Sequence, residues 1–169
     1  MDDTRTSDEP SVGKTSMQLV DPSEVVISRA FRASPKSVFE AWTQPEFVRR
    51  WWAPAALGVT MLECEADVRA GGAYRYVISA RGGAPMVFSG TYIEVIPHER
   101  LVYLQVFEPM ADAGAVTVTV RFVARDGLTI VESRERYPSP EARDAALASG
   151  METGLRITMD QLDALLQTV

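Results

Sequence analysis

Cysteine and histidine are all but missing from this chain: Cys64 and His98 are the only two in 169 residues. One cysteine excludes an internal disulfide and fits a reducing, cytoplasmic compartment. One of each excludes a zinc or non-haem iron centre built from His and Cys alone. A site made only of carboxylates stays open, although no EF-hand-like spacing occurs. The G-x-G-x-x-G and Walker patterns that cradle phosphates are absent, and so is G-x-S-x-G. No cofactor is therefore expected. No apolar run approaches the roughly 18 residues that signal a membrane span. The acidic start, MDDTRTSDEP, lacks the apolar core of a secretory signal. A basic surface is lacking too: the formal net charge is −6, which argues against a nucleic-acid partner.

What is present is ordinary for a globular domain, with 46% hydrophobic residues and a length that favours one folded unit. Residues 1–21 are rich in Asp, Ser and Thr, show no periodicity and carry a net −3. They are expected to form a disordered or loosely held acidic tail. Residues 22–169 are only mildly acidic and are expected to form a single domain.

From Glu24 the chain reads as a strand to Arg32, with Val25, Ile27, Arg29 and Phe31 on one parity. Ser34-Pro35 opens a short helix and Pro45 a second, which Pro54 ends. Six strands then follow, Met61–Asp67, Ala73–Ala80, Met86–Ile96, Leu101–Phe107, Val116–Phe122 and Leu128–Tyr137. Turn signals separate them, among them Asp126-Gly127. Leu62, Cys64 and Ala66 share the inward parity of the first of the six. Short turns between consecutive strands imply an antiparallel meander.

The final stretch, Ser139 to Val169, reads as one long amphipathic helix. Ser139 is a good N-cap and Pro140 suits the first helical position. Leu147, Met151, Leu155, Met159, Leu162 and Leu166 fall on one face, with Arg143, Asp144, Glu152, Arg156, Asp160 and Asp163 on the other. Gly150 and Gly154 interrupt the pattern, at a cost of about 1 kcal/mol each against alanine.

Several strings in this order resemble the START, polyketide-cyclase and birch-pollen-allergen-like helix-grip superfamily (SRPBCC). Within it they are most similar to the branch named after the activator of the Hsp90 ATPase (AHSA1-like). They are Ala33-Ser34-Pro35, VFEAWTQPE (38–46), Trp51-Trp52, EADVRAGGAYR (65–75), GTYIEVIPHERLVY (90–103) and YPSPEARDAALASGMETG (137–154). The resemblance implies an α+β fold: a curved seven-stranded antiparallel sheet around a long C-terminal helix, with two short helices after strand 1. It also implies a cavity between helix and sheet. Fold of this kind hosts many functions and does not settle one.

Candidate residues follow from the pattern. On the last strand Thr129, Val131, Ser133, Glu135 and Tyr137 are expected to face the helix, while Glu132, Arg134 and Arg136 face water. A carboxylate in an apolar cavity must be paired or have a raised pKa. Glu135 with Tyr137 is thus a candidate anchor or acid/base pair, the structural alternative being an ion pair with an arginine such as Arg75 or Arg121, or exposure at the sheet's rim. Trp42, Trp51 and Trp52 crowd the short helices as a plug or a cavity wall. Tyr76, Phe88, Tyr92, Tyr103, Phe122, Met151, Leu155 and Met159 complete the expected lining, where methionine suits loosely specified ligands. Cys64 reads as a buried small hydrophobe, and His98 as an exposed turn residue.

Three functions compete. The first is binding of a small hydrophobic, aromatic or lipid-like molecule without chemistry. The second is a cyclase- or hydrolase-type enzyme using Glu135 with a tyrosine. The third is a co-chaperone-like interaction module, disfavoured because the chain carries a single such domain. An edge strand offers a route to a homodimer.

Overall fold

The computed structural model describes residues 9–169. Eight antiparallel strands form one sheet: β1 (Ser16–Val20), β2 (Glu24–Phe31), β3 (Val59–Ala66), β4 (Ala73–Ala80), β5 (Met86–Ile96), β6 (Arg100–Phe107), β7 (Val116–Arg125) and β8 (Leu128–Arg136). Their order is β1-β2-β8-β7-β6-β5-β4-β3. Strands β3 to β8 run as a meander, and β2 joins it beside β8. Between β2 and β3 lie helices α1 (Pro35–Thr43) and α2 (Pro45–Trp51). After β8 come α3 (Pro140–Ala148) and α4 (Met151–Leu166). This is the α+β helix-grip architecture.

Three expectations need correction. The first concerns the tail, which was expected to be loose to residue 21. Ser16–Val20 instead pairs with β2, Ser16 opposite Ser28 and Val20 opposite Glu24. Seven strands become eight because β2 has a free edge whose backbone groups take a partner. Residues 1–8 of the expected tail lie outside the described residues.

The second is the long final helix, which is two helices. Gly150 sits at φ 85°, a left-handed conformation that ends α3 and that glycine adopts without a Cβ penalty. The third is Leu62. A bulge between Met61 and Glu63 shifts the register of β3 on β4, so Leu62 turns out to solvent while Cys64 stays buried.

The helix starts form as their sequences dictate. Ser34 Oγ accepts from Ser37 N at 3.1 Å, and Ser139 Oγ accepts from Ala142 N at 3.1 Å. The core fills the space between the sheet's inner face, α1, α2 and α4. Phe31, Val38, Leu101, Val118, Val120 and Leu162 are its most buried members.

Two polar clamps fix the helices over the sheet. Arg29 of β2, on the inner parity with Phe31, donates to Asp160 at 2.6 Å and to Asp163 at 2.9 Å. Gln161 Nε2 donates to the carbonyls of Trp51 (2.9 Å) and Ala53 (2.8 Å), while its Oε1 accepts from Ala55 N at 3.0 Å. One amide thereby ties α4 to the end of α2. The polar side of α4 therefore holds side chains that bind the sheet and α2.

Candidate functional site

The far end of the grip is where the two-helix ending matters. Because Gly150 breaks the helix, α3 leaves the line of α4 and lies over the open end of the sheet. None of its residues is buried. Its inner side presents Ala142, Ala145, Ala146 and Ser149, small side chains at helical spacing that leave room beneath them. The result is a cavity of about 380 Å³ bounded by α3, the start of α4, the ends of β5 to β8 and the 3-10 segment Glu108–Ala113.

Its walls are Phe88, Phe107, Met110, Val116, Pro138 and Met151, with Gln105, Glu135 and Tyr137 as polar members. Phe88 and Phe107 pack with ring centroids 4.8 Å apart and planes tilted by 31°. Glu135 projects inward because the alternation on β8 is the expected one: Thr129, Val131 and Ser133 are buried, while Arg134 and Arg136 are exposed.

Glu135 does not pair with Arg75 or Arg121. Arg75 is engaged by Glu63 on the neighbouring strand. The partner of Glu135 is Tyr137, whose hydroxyl donates to Oε2 at 3.0 Å and lies 3.6 Å from Met151 Sδ. Burial pushes the Glu135 carboxyl above its ordinary value, and the Tyr137 hydrogen bond pulls it back in part. Burial and the neighbouring carboxylate push the Tyr137 phenol up. Tyr103 of β6 is also raised, by burial first and by the charge of Glu135 second.

The other predicted residues divide between a second, smaller space and the core. Trp42, Trp52, Tyr76, Tyr92 and Tyr103, together with Tyr74 and Leu101, enclose a void of about 20 Å³, room for one water molecule. Gln105 lines both this void and the cavity. Burial raises the Tyr92 phenol to about 12.

Trp51, Phe122 and Met159 are buried core residues, and Leu155 packs against them. Trp51 donates to the Ala41 carbonyl at 2.8 Å. Ser133 is buried one inward position before Glu135, outside the cavity lining. Of the predicted lining, then, Phe88, Glu135, Tyr137 and Met151 meet in the cavity.

Sequence reasoning missed the alanine face of α3, Gln105, Met110 and Val116. The readable signal was the spacing of Ala142, Ala145, Ala146 and Ser149, too small a face to be core-forming. Cys64 is buried, and desolvation lifts its thiol to about 11, against the opposing effect of Arg49. That is the opposite of what a nucleophile needs. His98 occupies an exposed turn at φ 66°, its ring edge-on to Phe39 at 5.6 Å. Among the described residues, no group of three or more His, Cys, Asp or Glu is placed to hold a metal ion. No helix among them is long and apolar enough to cross a membrane.

An antiparallel sheet carrying a C-terminal helix across one face, with a cavity at the open end, defines a START-like helix-grip protein. Over residues 32–167 the chain matches the model of the activator of Hsp90 ATPase homolog 1-like family, and it belongs to that family. A crystal structure from Rhodobacter sphaeroides superposes with a TM-score of 0.85 at 26% identity, over 92% of this chain and 100% of that one. Structures from Nitrosomonas europaea (TM-score 0.78, 20% identity, 89% and 97% covered) and Mycobacterium smegmatis (0.78, 24%, 92% and 96%) share the fold. No curated protein matches the chain.

Proposed function

We propose that the chain binds a small, mostly apolar molecule in the cavity beneath α3 and holds its polar group at Glu135 and Tyr137. The observation that carries this reading is the composition of the cavity: an aromatic and methionine wall around one carboxylate–phenol pair. A volume of about 380 Å³ suits a ligand of drug-like size. The family commonly binds hydrophobic ligands, which supports the same reading. Native mass spectrometry of freshly purified protein, followed by denaturation, tests it. A stoichiometric apolar compound released from the wild type and absent from Ala146→Trp supports binding in the cavity. An apo mass with no thermal shift across lipid and aromatic compounds counts against it.

A second reading draws on the same pair. A buried carboxyl with a raised pKa beside a phenol is the form a general acid or base takes near neutral pH. Glu135→Gln separates the two: a carrier keeps its ligand stoichiometry, and an enzyme loses turnover. A co-chaperone-like role would use a surface outside the cavity and would survive Ala146→Trp. A cytoplasmic setting accords with the free, buried Cys64, and the edges at β1 and β3 offer a route to a homodimer.

A further inference from the structure

We propose that the cavity selects apolar ligands carrying a basic nitrogen, whose N–H donates to Glu135, and turns away carboxylates and phosphates. This inference rests on the cavity being the binding site. Glu135 is the one carboxylic side chain among the lining residues, and no arginine or lysine lines the space.

The nearby cations are committed elsewhere. Arg134 and Arg136 lie on the outer parity of β8, where Arg134 donates to Glu24 at 3.1 Å. Arg143 of α3 turns its guanidinium to the backbone carbonyls of Asp21 and Glu24. A ligand carboxylate would therefore meet a carboxyl and no countercharge. Burying an unpaired anion there is unfavourable.

A protonated amine removes the difficulty. Ionised Glu135 has one phenolic donor, from Tyr137, so an acceptor oxygen is left for the ligand. The amine supplies donor and countercharge together, which makes the hydrogen bond a strong one. Phe88 and Phe107, both in the cavity wall, add aromatic surface of the kind that attracts a cation.

Isothermal titration of the full chain with naphthylmethylamine, naphthylmethanol and naphthoate tests the proposal, since the three share one apolar body. The amine is expected to bind at least about tenfold tighter than the alcohol, with naphthoate weakest. In Glu135→Gln, an isosteric change whose folding is checked by circular dichroism, the amine's advantage is expected to fall to about threefold or less. Naphthoate binding as tightly as the amine overturns the selectivity and leaves the cavity as the site. An amine preference unchanged in Glu135→Gln does the same. Failure of all three compounds to bind overturns the cavity reading, and this inference with it.

Discussion

Arg29 and Asp163 meet across 134 residues of chain, Nη2 to Oδ2 at 2.9 Å, and so pin the C-terminal helix to the second strand. Arg29 is buried, Asp163 is mostly so, and Asp160, bound to the other nitrogen, is largely exposed. Removing one partner of a buried pair strands the other. Asp163→Asn is expected to cost up to about 3 kcal/mol, at the low end for such a break because Asp160 remains. Arg29→Met leaves carboxylates that can reach water and is expected to cost less than Asp163→Asn. Urea unfolding of both variants checks the order. A larger loss in Arg29→Met contradicts it.

Gly90 sits in the middle of β5 with no space for a side chain. A Cβ there would lie 1.8 Å from the Leu104 carbonyl oxygen and 2.6 Å from the Tyr74 ring. The ring's hydroxyl is itself bonded to that carbonyl at 3.3 Å, so it cannot move aside without losing the bond. Gly90→Ala is expected to destabilise by at least about 2 kcal/mol, as overpacking does. A thermal midpoint equal to that of the wild type would show that the strand yields more easily than this geometry implies.

Gln161 makes three hydrogen bonds to the last residue of α2 and the segment that follows it. Gln161→Leu keeps the approximate volume and strands two carbonyls and one N–H. A loss of about 1–3 kcal/mol is expected, together with a changed near-ultraviolet signal from Trp51 and Trp52. Stability and spectrum both unchanged would show that water replaces the amide.

The raised pKa of Glu135 makes stability fall as pH rises. Its ordinary value is 4.5, and burial lifts it in the folded state. Between the two values the folded chain binds more protons than the unfolded one, so the unfolding free energy declines across that window and is flat above it. The titratable groups facing the carboxyl are Tyr137 and Tyr103, both raised and both neutral through the window. Against the cavity, α3 and α4 present only alanine, serine and methionine. Glu135→Gln is therefore expected to gain on the wild type as pH goes from acid to neutral. A constant difference between the two proteins across that range would place the carboxyl in water.

Much of this arrangement was legible before the structure. The inward parity of Arg29, Ser133 and Glu135 follows from a strict period of two, which a strand buried on one face must keep. Leu62 escaped because a bulge resets that period, and nothing in VTMLECEA announces the extra residue. The division of the final helix turned on Gly150. A glycine in a helical pattern reads equally as a weak interior residue or a left-handed stop, and only the packing of α3 decides between them. The core side of the pocket was overestimated for a related reason. Aromatic residues fill the space between sheet and helices, so Phe122 and Trp51 pack against neighbours. Room for a ligand arises where side chains are small, at Ala142, Ala145 and Ala146. Strand β1 lay in sequence with no alternation, and its pairing is supplied by the free edge of β2.

The most direct measurement is a fluorescence titration with N-phenylnaphthylamine, a neutral apolar probe that brightens when it leaves water, on the wild type and on Ala146→Trp. Ala146 lines the cavity from a helix with no buried residue, so a tryptophan there fills the space with little cost to the fold. Saturable binding near one probe per chain in the wild type, lost in Ala146→Trp at an unchanged thermal midpoint, is the predicted result. Equal binding by both proteins, or by neither, would contradict the assignment of the cavity beneath α3 as the ligand site.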